Sequence, residues 1–560
     1  MVRSHIRTCA AAAVSIGLMA GSTGAPAETA APPAVTAESA AVLAETIDAA
    51  LRQWFPPTGA TAGYRWEGQV QATAAGDHYD VAFPALSITS KDGSRLGLGS
   101  VRLALAPDAD GAWEVGATLP GQITLLAADG SSDGDVTIGA QHFSGRWVPA
   151  LGTFVKIDGS YDNLQAASPK DSSRLTIGGI ALRTDLTEAP AGRWTGPSTL
   201  TINKLDMVDR NGAPIVHLGG AAFELTLSGM DLKQIVAVSG QLAAATEAKA
   251  GKGDEAKAGK GDEAKAGKGD EAKAGKGDEA DTGKDDEENV GETLRRVALF
   301  QDLLNGILAK VRVNDLAVTS PHDGSAVALG QLAIEGGIER TQGRSTVTIG
   351  YDHDGLRIKP ALLPPDLLPE KAGLSIAVSE LPSGDVLSLL QRLEEARASG
   401  DEKATGDLTR QFAASFYQPG VRLGIKTLHI DTPAAALTLE GEARLDNTTA
   451  RGGVAGFDMV IRGLDPLLKR MKPAPGAKID EDTQNLLAGL AMLQAMGAPG
   501  KDEGGRDIRT YKLQMDADGK VLLNGADLTA MLQLPQGPDA KHPESGAASG
   551  RPATGKPAAP

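Results

Sequence analysis

The residues best placed to do chemistry are acids beside glycine. Asp108-Ala-Asp110-Gly111, Asp352-His-Asp354-Gly355 and Asp516-Ala-Asp518-Gly519 each resemble the opening of a calcium loop. Such a loop needs a third oxygen ligand two residues on and a bidentate glutamate at its end. Ala112-Trp113 follows the first cluster and Lys520-Val521 the last, so the ligand set is incomplete. Asp-Gly between two alternating runs is the ordinary hairpin turn, and turns are expected here. The eight histidines (His5, His78, His142, His217, His322, His353, His429 and His542) are dispersed, none within four residues of another, so no local metal pair is expected. No nucleophile elbow, phosphate loop or H-E-x-x-H helix is expected either. With 71 acids some carboxylates must meet in space, but the sequence selects no pair for hydrolysis, and at 4% the aromatics that carbohydrate sites use are scarce.

The elements around these residues say more. Arg3 and Arg7, the apolar run Cys9–Ala20 and Ala25-Pro26-Ala27 have the three parts of an export signal, with cleavage expected before Glu28. Loss of residues 1–27 deepens the formal charge from −16 to −18. It also removes Cys9, the one cysteine, and with it disulfides, thiolate metal sites and thiol nucleophiles. So acidic a chain is poorly suited to nucleic acid. No later stretch has the length of a membrane-spanning helix, and the few aromatics argue against an outer-membrane barrel.

Residues 28–62 read as a linker and one helix, capped by Thr36, with Leu43, Ile47, Leu51 and Trp54 on one face and Pro56-Pro57 ending it. From Tyr64 the apolar period becomes two. Tyr64, Trp66, Gly68, Val70 and Ala72 read as one strand. Tyr79-x-Val81-x-Phe83, Val101-x-Leu103-x-Leu105, Leu175-x-Ile177 and Leu200-x-Ile202 repeat the alternation between Asp-Gly breakers. This β-rich domain is assigned residues 63–246. Residues 247–289 hold E-A-K-A-G-K-G-D four times in tandem plus a degenerate copy. With nothing apolar larger than alanine, the tract reads as a flexible linker. A helix is expected over Val290–Lys310, with Leu294, Val297, Leu304, Ile307 and Leu308 as its apolar face. It opens a second β-rich half, 290–534, with further helices near Val386–Leu393 and Leu486–Met496, and a disordered tail at 535–560.

One junction recurs. Phe223-x-Leu225-x-Leu227-x-Gly229-Met230-Asp231, Leu374-x-Ile376-x-Val378-x-Glu380-Leu381 and Phe457-x-Met459-x-Ile461-x-Gly463-Leu464-Asp465 each run from a strand through one break and one large aliphatic to a helix start. Asp231 and Asp465 are expected to cap those helices, Gln234 to complete a capping box, and Pro466 to fit the first turn. The fold class expected is α+β, mostly antiparallel β: long curved sheets with a few helices packed on one face.

Pro419-Gly420-Val421-Arg-Leu423-Gly-Ile425-Lys-Thr-Leu428, Leu437-Thr-Leu439-Glu-Gly441-Glu-Ala443, Gly463-Leu464-Asp465-Pro466 and Asp518-Gly519-Lys-Val521-Leu-Leu523-Asn524-Gly525-Ala-Asp-Leu528 together resemble the YdgA-like and related families of bacterial envelope proteins of unknown function. Gly192-Arg-Trp194-x-Gly196 and Leu218-Gly-Gly220 fit the same type, and the long aliphatic strands are distantly similar to AsmA-like envelope proteins. The resemblance implies an envelope protein with no catalytic residue to carry over. With the export signal and the missing motifs it leads to a periplasmic, non-enzymatic protein without cofactor, and the aliphatic, aromatic-poor strand faces suggest scaffolding among envelope proteins, or binding of lipid or acyl chains in an apolar groove formed by Leu225, Leu227, Ile376, Val378, Met459 and Ile461. A carboxylate-based hydrolase and a surface or adhesion protein are the alternatives.

Overall fold

A computed structural model describes residues 34–54, 63–90, 92–168, 172–235, 303–360, 366–382, 401–416, 420–471 and 481–529, with isolated positions between 389 and 397. The expected signal peptide, octapeptide tract and tail lie outside the described residues, as does most of the helix near Val386–Leu393.

The chain opens with helix α1 (Ala37–Trp54), begun by Thr36, whose Oγ1 accepts the Ser39 amide at 3.1 Å. Nine short strands follow: β1 (Gly63–Trp66), β2 (Gln71–Ala75), β3 (His78–Ala82), β4 (Leu86–Thr89), β5 (Arg95–Gly99), β6 (Arg102–Pro107), β7 (Trp113–Thr118), β8 (Gln122–Leu126) and β9 (Ser132–Thr137). The strands then lengthen. They are β10 (Ala140–Val148), β11 (Thr153–Ala167), β12 (Arg174–Asp185), the short β13 (Thr187–Ala189), β14 (Arg193–Val208) and β15 (Pro214–Met230). Beyond the undescribed insert come β16 (Gly306–Thr319), β17 (Ala326–Thr341), β18 (Arg344–Asp354), the short β19 (Arg357–Lys359) and β20 (Lys371–Pro382). Helix α2 (Glu402–Phe416) leads to β21 (Arg422–Asp431), β22 (Ala436–Leu445) and β23 (Gly453–Arg462). Helices α3 (Leu464–Met471) and α4 (Glu481–Met496) precede the closing strands β24 (Ala498–Lys501), β25 (Asp507–Met515), β26 (Val521–Leu523) and β27 (Ala526–Asp527).

All 27 strands belong to one antiparallel sheet. The expected single strand from Tyr64 to Ala72 is two, because Gly68 turns the backbone at φ +104° between β1 and β2, which then pair with β4 and β3 respectively. At β11 the sheet forks. Its first part pairs with β10, its last residues pair with β9, and both branches return to the N-terminal strands. Helix α1 closes this head: Leu43, Ile47 and Leu51 pack with Trp66, Tyr79, Val81, Phe143 and Ile157, as their spacing predicts. Asp48 pins the helix by accepting the Val70 amide at 3.1 Å.

From β11 onward the chain is a continuous meander. β15 and β16 pair from Val216 opposite Val318 to Ser228 opposite Gly306, so the two β-rich halves share one sheet across the insert. This corrects the expected helix over Val290–Lys310. Residues 306–310 are strand, and 290–302 lie outside the described residues. Leu304, Ile307 and Leu308 have helical spacing by coincidence, whereas Ile307-x-Ala309-x-Val311-x-Val313 is the pattern that the neighbouring strands select.

The break of the recurrent junction has one conformation at all three sites, and a helix follows it after Met230 and at Leu464, whereas the helix expected after Leu381 begins outside the described residues. Gly229, Glu380 and Gly463 are all left-handed, at φ +60°, +61° and +75°. Each turn drives the next aliphatic inward, leaving Met230, Leu381 and Leu464 2%, 4% and 2% exposed. Asp231 caps as expected, accepting the Gln234 amide at 3.1 Å. The reciprocal half of the capping box is not made, because the Asp231 amide donates to the Leu303 carbonyl at 2.7 Å. Asp465 does not cap: α3 already starts at Leu464, and the Leu467 amide donates to the Gly463 carbonyl.

Candidate functional site

Directly opposed residues in neighbouring strands share a face, so the register traces rows across the sheet. One row runs Phe223, Val311, Ile334, Tyr351, Leu374, Leu428, then Leu439, Met459 and Tyr511. The row beside it holds Leu225, Ala309, Gly336, Ile349, Ile376 and Ile425. The reverse face is charged. Arg312 pairs with Glu224, Lys310 with Glu335 at 3.0 Å, Lys371 with Asp354 at 2.7 Å and Arg462 with Asp431 at 2.8 Å. The meander is thus amphipathic, with apolar and ionic faces.

The six residues expected to line a groove all fall on the apolar face. They do not share one environment. Ile461 and Met459 lie beneath Leu464 and Leu468 of α3 and Leu487, Leu490 and Leu493 of α4. Leu227 packs into the cluster of Val155, Met230 and Leu232 at the strand ends. Leu225, Ile376 and Val378 lie between those covered regions and are half-buried. Around them large side chains meet solvent: Ile349 is 61% exposed, Ile334 46%, Tyr351 44% and Phe223 42%. Toward the N-terminus the same face passes under the head, where Phe143 and Leu182 join the α1 cluster.

The apolar face is continued by a device that the sequence reading passed over. In β12, β14, β15, β16 and β17 the alternation slips by one residue: Leu175-x-Ile177-x-x-Ile180-x-Leu182, Leu200-x-Ile202-x-x-Leu205-x-Met207, Val216-x-Leu218-x-x-Ala221-x-Phe223, Val311-x-Val313-x-x-Leu316-x-Val318 and Val327-x-Leu329-x-x-Leu332-x-Ile334. At the slip, left-handed Asn163, Lys204 and Asp315 face glycines 178, 219 and 330 in neighbouring strands. Two consecutive exposed residues result, such as Asn203-Lys204 and Asn314-Asp315, and the aliphatics resume on their original side. Gly219 is required: a Cβ there would lie 2.9 Å from the Asp315 Cβ.

Polar side chains fasten the α3–α4 cover. Arg509 reaches Asp465 at 3.1 Å, Gln494 donates to Asp465 at 2.8 Å, and the Tyr511 hydroxyl donates to the Leu493 carbonyl at 2.8 Å. The Arg509 guanidinium holds the Asp465 carboxyl below the usual carboxylate range, against partial burial, which acts in the opposite direction. Asn524, in the Asn-Gly signature, is left-handed at φ +50°. It accepts the Lys512 amide at 2.8 Å and donates to the carbonyls of Met496 and Thr510 at 3.0 and 3.1 Å.

Two acid–glycine clusters are turns, as expected. Asp108 Oδ1 accepts the amides of Asp110 and Ala112 between β6 and β7, and Asp516 Oδ1 accepts the Lys520 amide between β25 and β26. The third is not a hairpin: Asp352 and Asp354 lie within β18, where Asp352 meets His429 of β21 at 3.4 Å across Gly373. One stretch, Gly130-Ser131-Ser132-Asp133-Gly134, does have nucleophile-elbow spacing. It forms the β8–β9 turn, and Ser132 leads into strand rather than helix. Among the described residues no three metal-binding side chains come together, and no helix is long and apolar enough to cross a membrane. Comparison with protein families, curated proteins and solved structures finds no match to the chain.

Proposed function

We propose that this chain is an exported, non-enzymatic protein of the bacterial periplasm that holds acyl chains or a lipid along the apolar face of its sheet. In this reading the sheet is curved, its few helices cover one face, and the likeness to YdgA-like envelope proteins reflects common architecture. The observation that carries the reading is the middle of a face whose two ends are occupied by the chain's own elements and which, among the described residues, no helix covers. There Ile349 is 61% and Ile334 46% exposed. With about half of such a side chain in water, roughly 0.8–1.5 kcal/mol of burial is forgone, and a contiguous group of them marks a binding surface.

The chemistry of the lining favours a lipid over a protein partner. Protein interfaces concentrate Trp, Tyr and Arg, whereas this stretch is mostly aliphatic, with Phe223, Tyr351 and His353 within it and Arg340 and Ser345 at its covered end. β15, β16, β17, β18 and β20 are paired on both edges, so they offer no unpaired backbone for strand addition. Four inter-strand spacings of about 4.8 Å span about 19 Å. One leaflet of a bilayer core about 30 Å thick provides each acyl chain about 15 Å, so the dimensions suit one chain laid across these strands.

The test is purification of the full chain from its envelope, followed by mass spectrometry of extracted material and uptake of a labelled acyl probe. Co-purifying lipid and uptake that drops severalfold in Ile349→Lys, with an unchanged melting temperature, support the reading. No bound lipid together with no uptake removes it.

A further inference from the structure

Arg340 and Ser345 occupy the same face at the covered strand end beside Leu381, but in the open stretch itself the described side chains of β15, β16, β17, β18 and β20 carry polar atoms only on Tyr351 and His353. The two are joined. The Tyr351 hydroxyl lies 2.9 Å from His353 Nδ1, and His353 Nε2 lies 3.2 Å from the Pro369 carbonyl oxygen. A carbonyl oxygen only accepts, so in the neutral imidazole the proton is on Nε2 and Nδ1 is the acceptor. The Tyr351 hydroxyl must therefore give its proton to Nδ1. His353 is 6% exposed and anchored at both nitrogens, which fixes that direction, while Tyr351 reaches solvent. What the phenol offers to the open stretch is its lone pairs, an acceptor among Phe223, Ile334, Ile349 and Ile376.

Building on the acyl-binding reading, we infer that Tyr351 anchors the polar end of the bound lipid and selects a headgroup with an uncharged hydrogen-bond donor, an alcohol or amide N–H, over a carboxylate. A donor completes the chain from ligand to Tyr351 to His353 to Pro369, and such chains reinforce each bond. A carboxylate oxygen meets the same lone pairs and is repelled, with apolar neighbours to make its desolvation costly. His353 acts as a positioning residue, holding the phenol proton away from the ligand.

The experiment measures binding of three labelled eighteen-carbon probes, oleyl alcohol, oleate and 1-octadecene, to the full chain and to Tyr351→Phe at pH 8. One net hydrogen bond corresponds to a change of about three- to tenfold. Oleyl alcohol is expected to weaken by that factor in the variant, 1-octadecene to stay within about twofold, and oleate to hold or tighten. Oleyl alcohol binding unchanged in Tyr351→Phe overturns the anchoring role, as does equal weakening of all three probes, which would make Tyr351 merely apolar surface. Failure of every probe to bind the unaltered chain refutes the acyl-binding reading itself, and this inference falls with it.

Discussion

Replacing Gly463 by alanine tests the strand-to-helix junction where its geometry is most demanding. Gly463 is left-handed at φ +75°, and a Cβ built there would lie 2.4 Å from the Ala434 carbonyl oxygen and 3.2 Å from the Ala435 Cα. The conformation alone costs an L-residue about 1–2 kcal/mol, and the overlap with rigid backbone adds to it, so a loss of at least about 2 kcal/mol is expected. Glu380 supplies the internal control, because it occupies the equivalent position at φ +61° with a side chain already present. Glu380→Gly relieves about 1–2 kcal/mol of conformational cost but returns about 0.5–1 kcal/mol of unfolded-chain entropy. It also loses an ion pair with Arg344 at 4.0 Å whose side chains are 42% and 55% exposed, a contact that contributes little. The net change at Glu380 is expected within about 0.5–1 kcal/mol of zero. Hydrogen exchange is the assay, of peptides covering β23 and α3 for Gly463 and of β20 for Glu380, since local opening reports local stability. Gly463→Ala should accelerate exchange there by roughly thirtyfold, at about 1.4 kcal/mol per tenfold. Wild-type exchange in Gly463→Ala, or a large acceleration in Glu380→Gly, would refute the claim that a left-handed break redirects the chain at these sites.

Other expectations follow from the same contacts. Asp465 is held below the ordinary carboxylate range, so its contribution is full above about pH 4 and fades as pH falls through the lowered value. Because its side chain is 38% exposed the effect should stay under about 1 kcal/mol. The α3–α4 cover should loosen on acidification, measured by exchange of α4, and Asp465→Asn should abolish that pH dependence while weakening the cover at neutral pH. Asn524→Ala removes three hydrogen bonds to backbone groups and should destabilise β25 and α4 by about 2 kcal/mol, measured as a lower urea midpoint. Gly219→Ala should cost about 1–2 kcal/mol because of the Asp315 Cβ, and Asp315→Gly in the same chain should recover most of it. Additive effects in that double-mutant cycle would mean the two residues do not share the slip.

Much of this architecture is legible from local pattern, because strand alternation, Asp-Gly turns and the Thr36 cap depend on neighbours in sequence. The α1 face and the aliphatic that follows each break at Gly229, Glu380 and Gly463 are read for that reason, while the burial of Met230, Leu381 and Leu464 emerges only in the fold. The failures have a common cause in long-range pairing. Leu304, Ile307 and Leu308 fit a helix until β15 and β17 claim residues 306–310 in register. Strict alternation also cut β12, β14 and β16 into fragments, hiding the Φ-x-Φ-x-x-Φ-x-Φ slip that keeps aliphatics on one side. Asp465 looked like a cap because its partner Arg509 is distant in sequence. The six candidate groove residues occupy strand positions on one face, and only the packing of α3 and α4 distinguishes covered Ile461 from the more open Leu225 and Ile376.

The central claim is that acyl chains lie on the solvent-facing middle of the apolar face, around Ile334 and Ile349, and covalent mapping addresses it most directly. A fatty alcohol carrying a photoreactive diazirine in its chain is bound to the full protein, irradiated, and the labelled peptides are located by mass spectrometry. Labels at Phe223, Ile334, Ile349 and Ile376, suppressed by excess unlabelled lipid, are the expected result. Labelling confined to the charged face or to other parts of the chain, or labelling that unlabelled lipid leaves untouched, would contradict it.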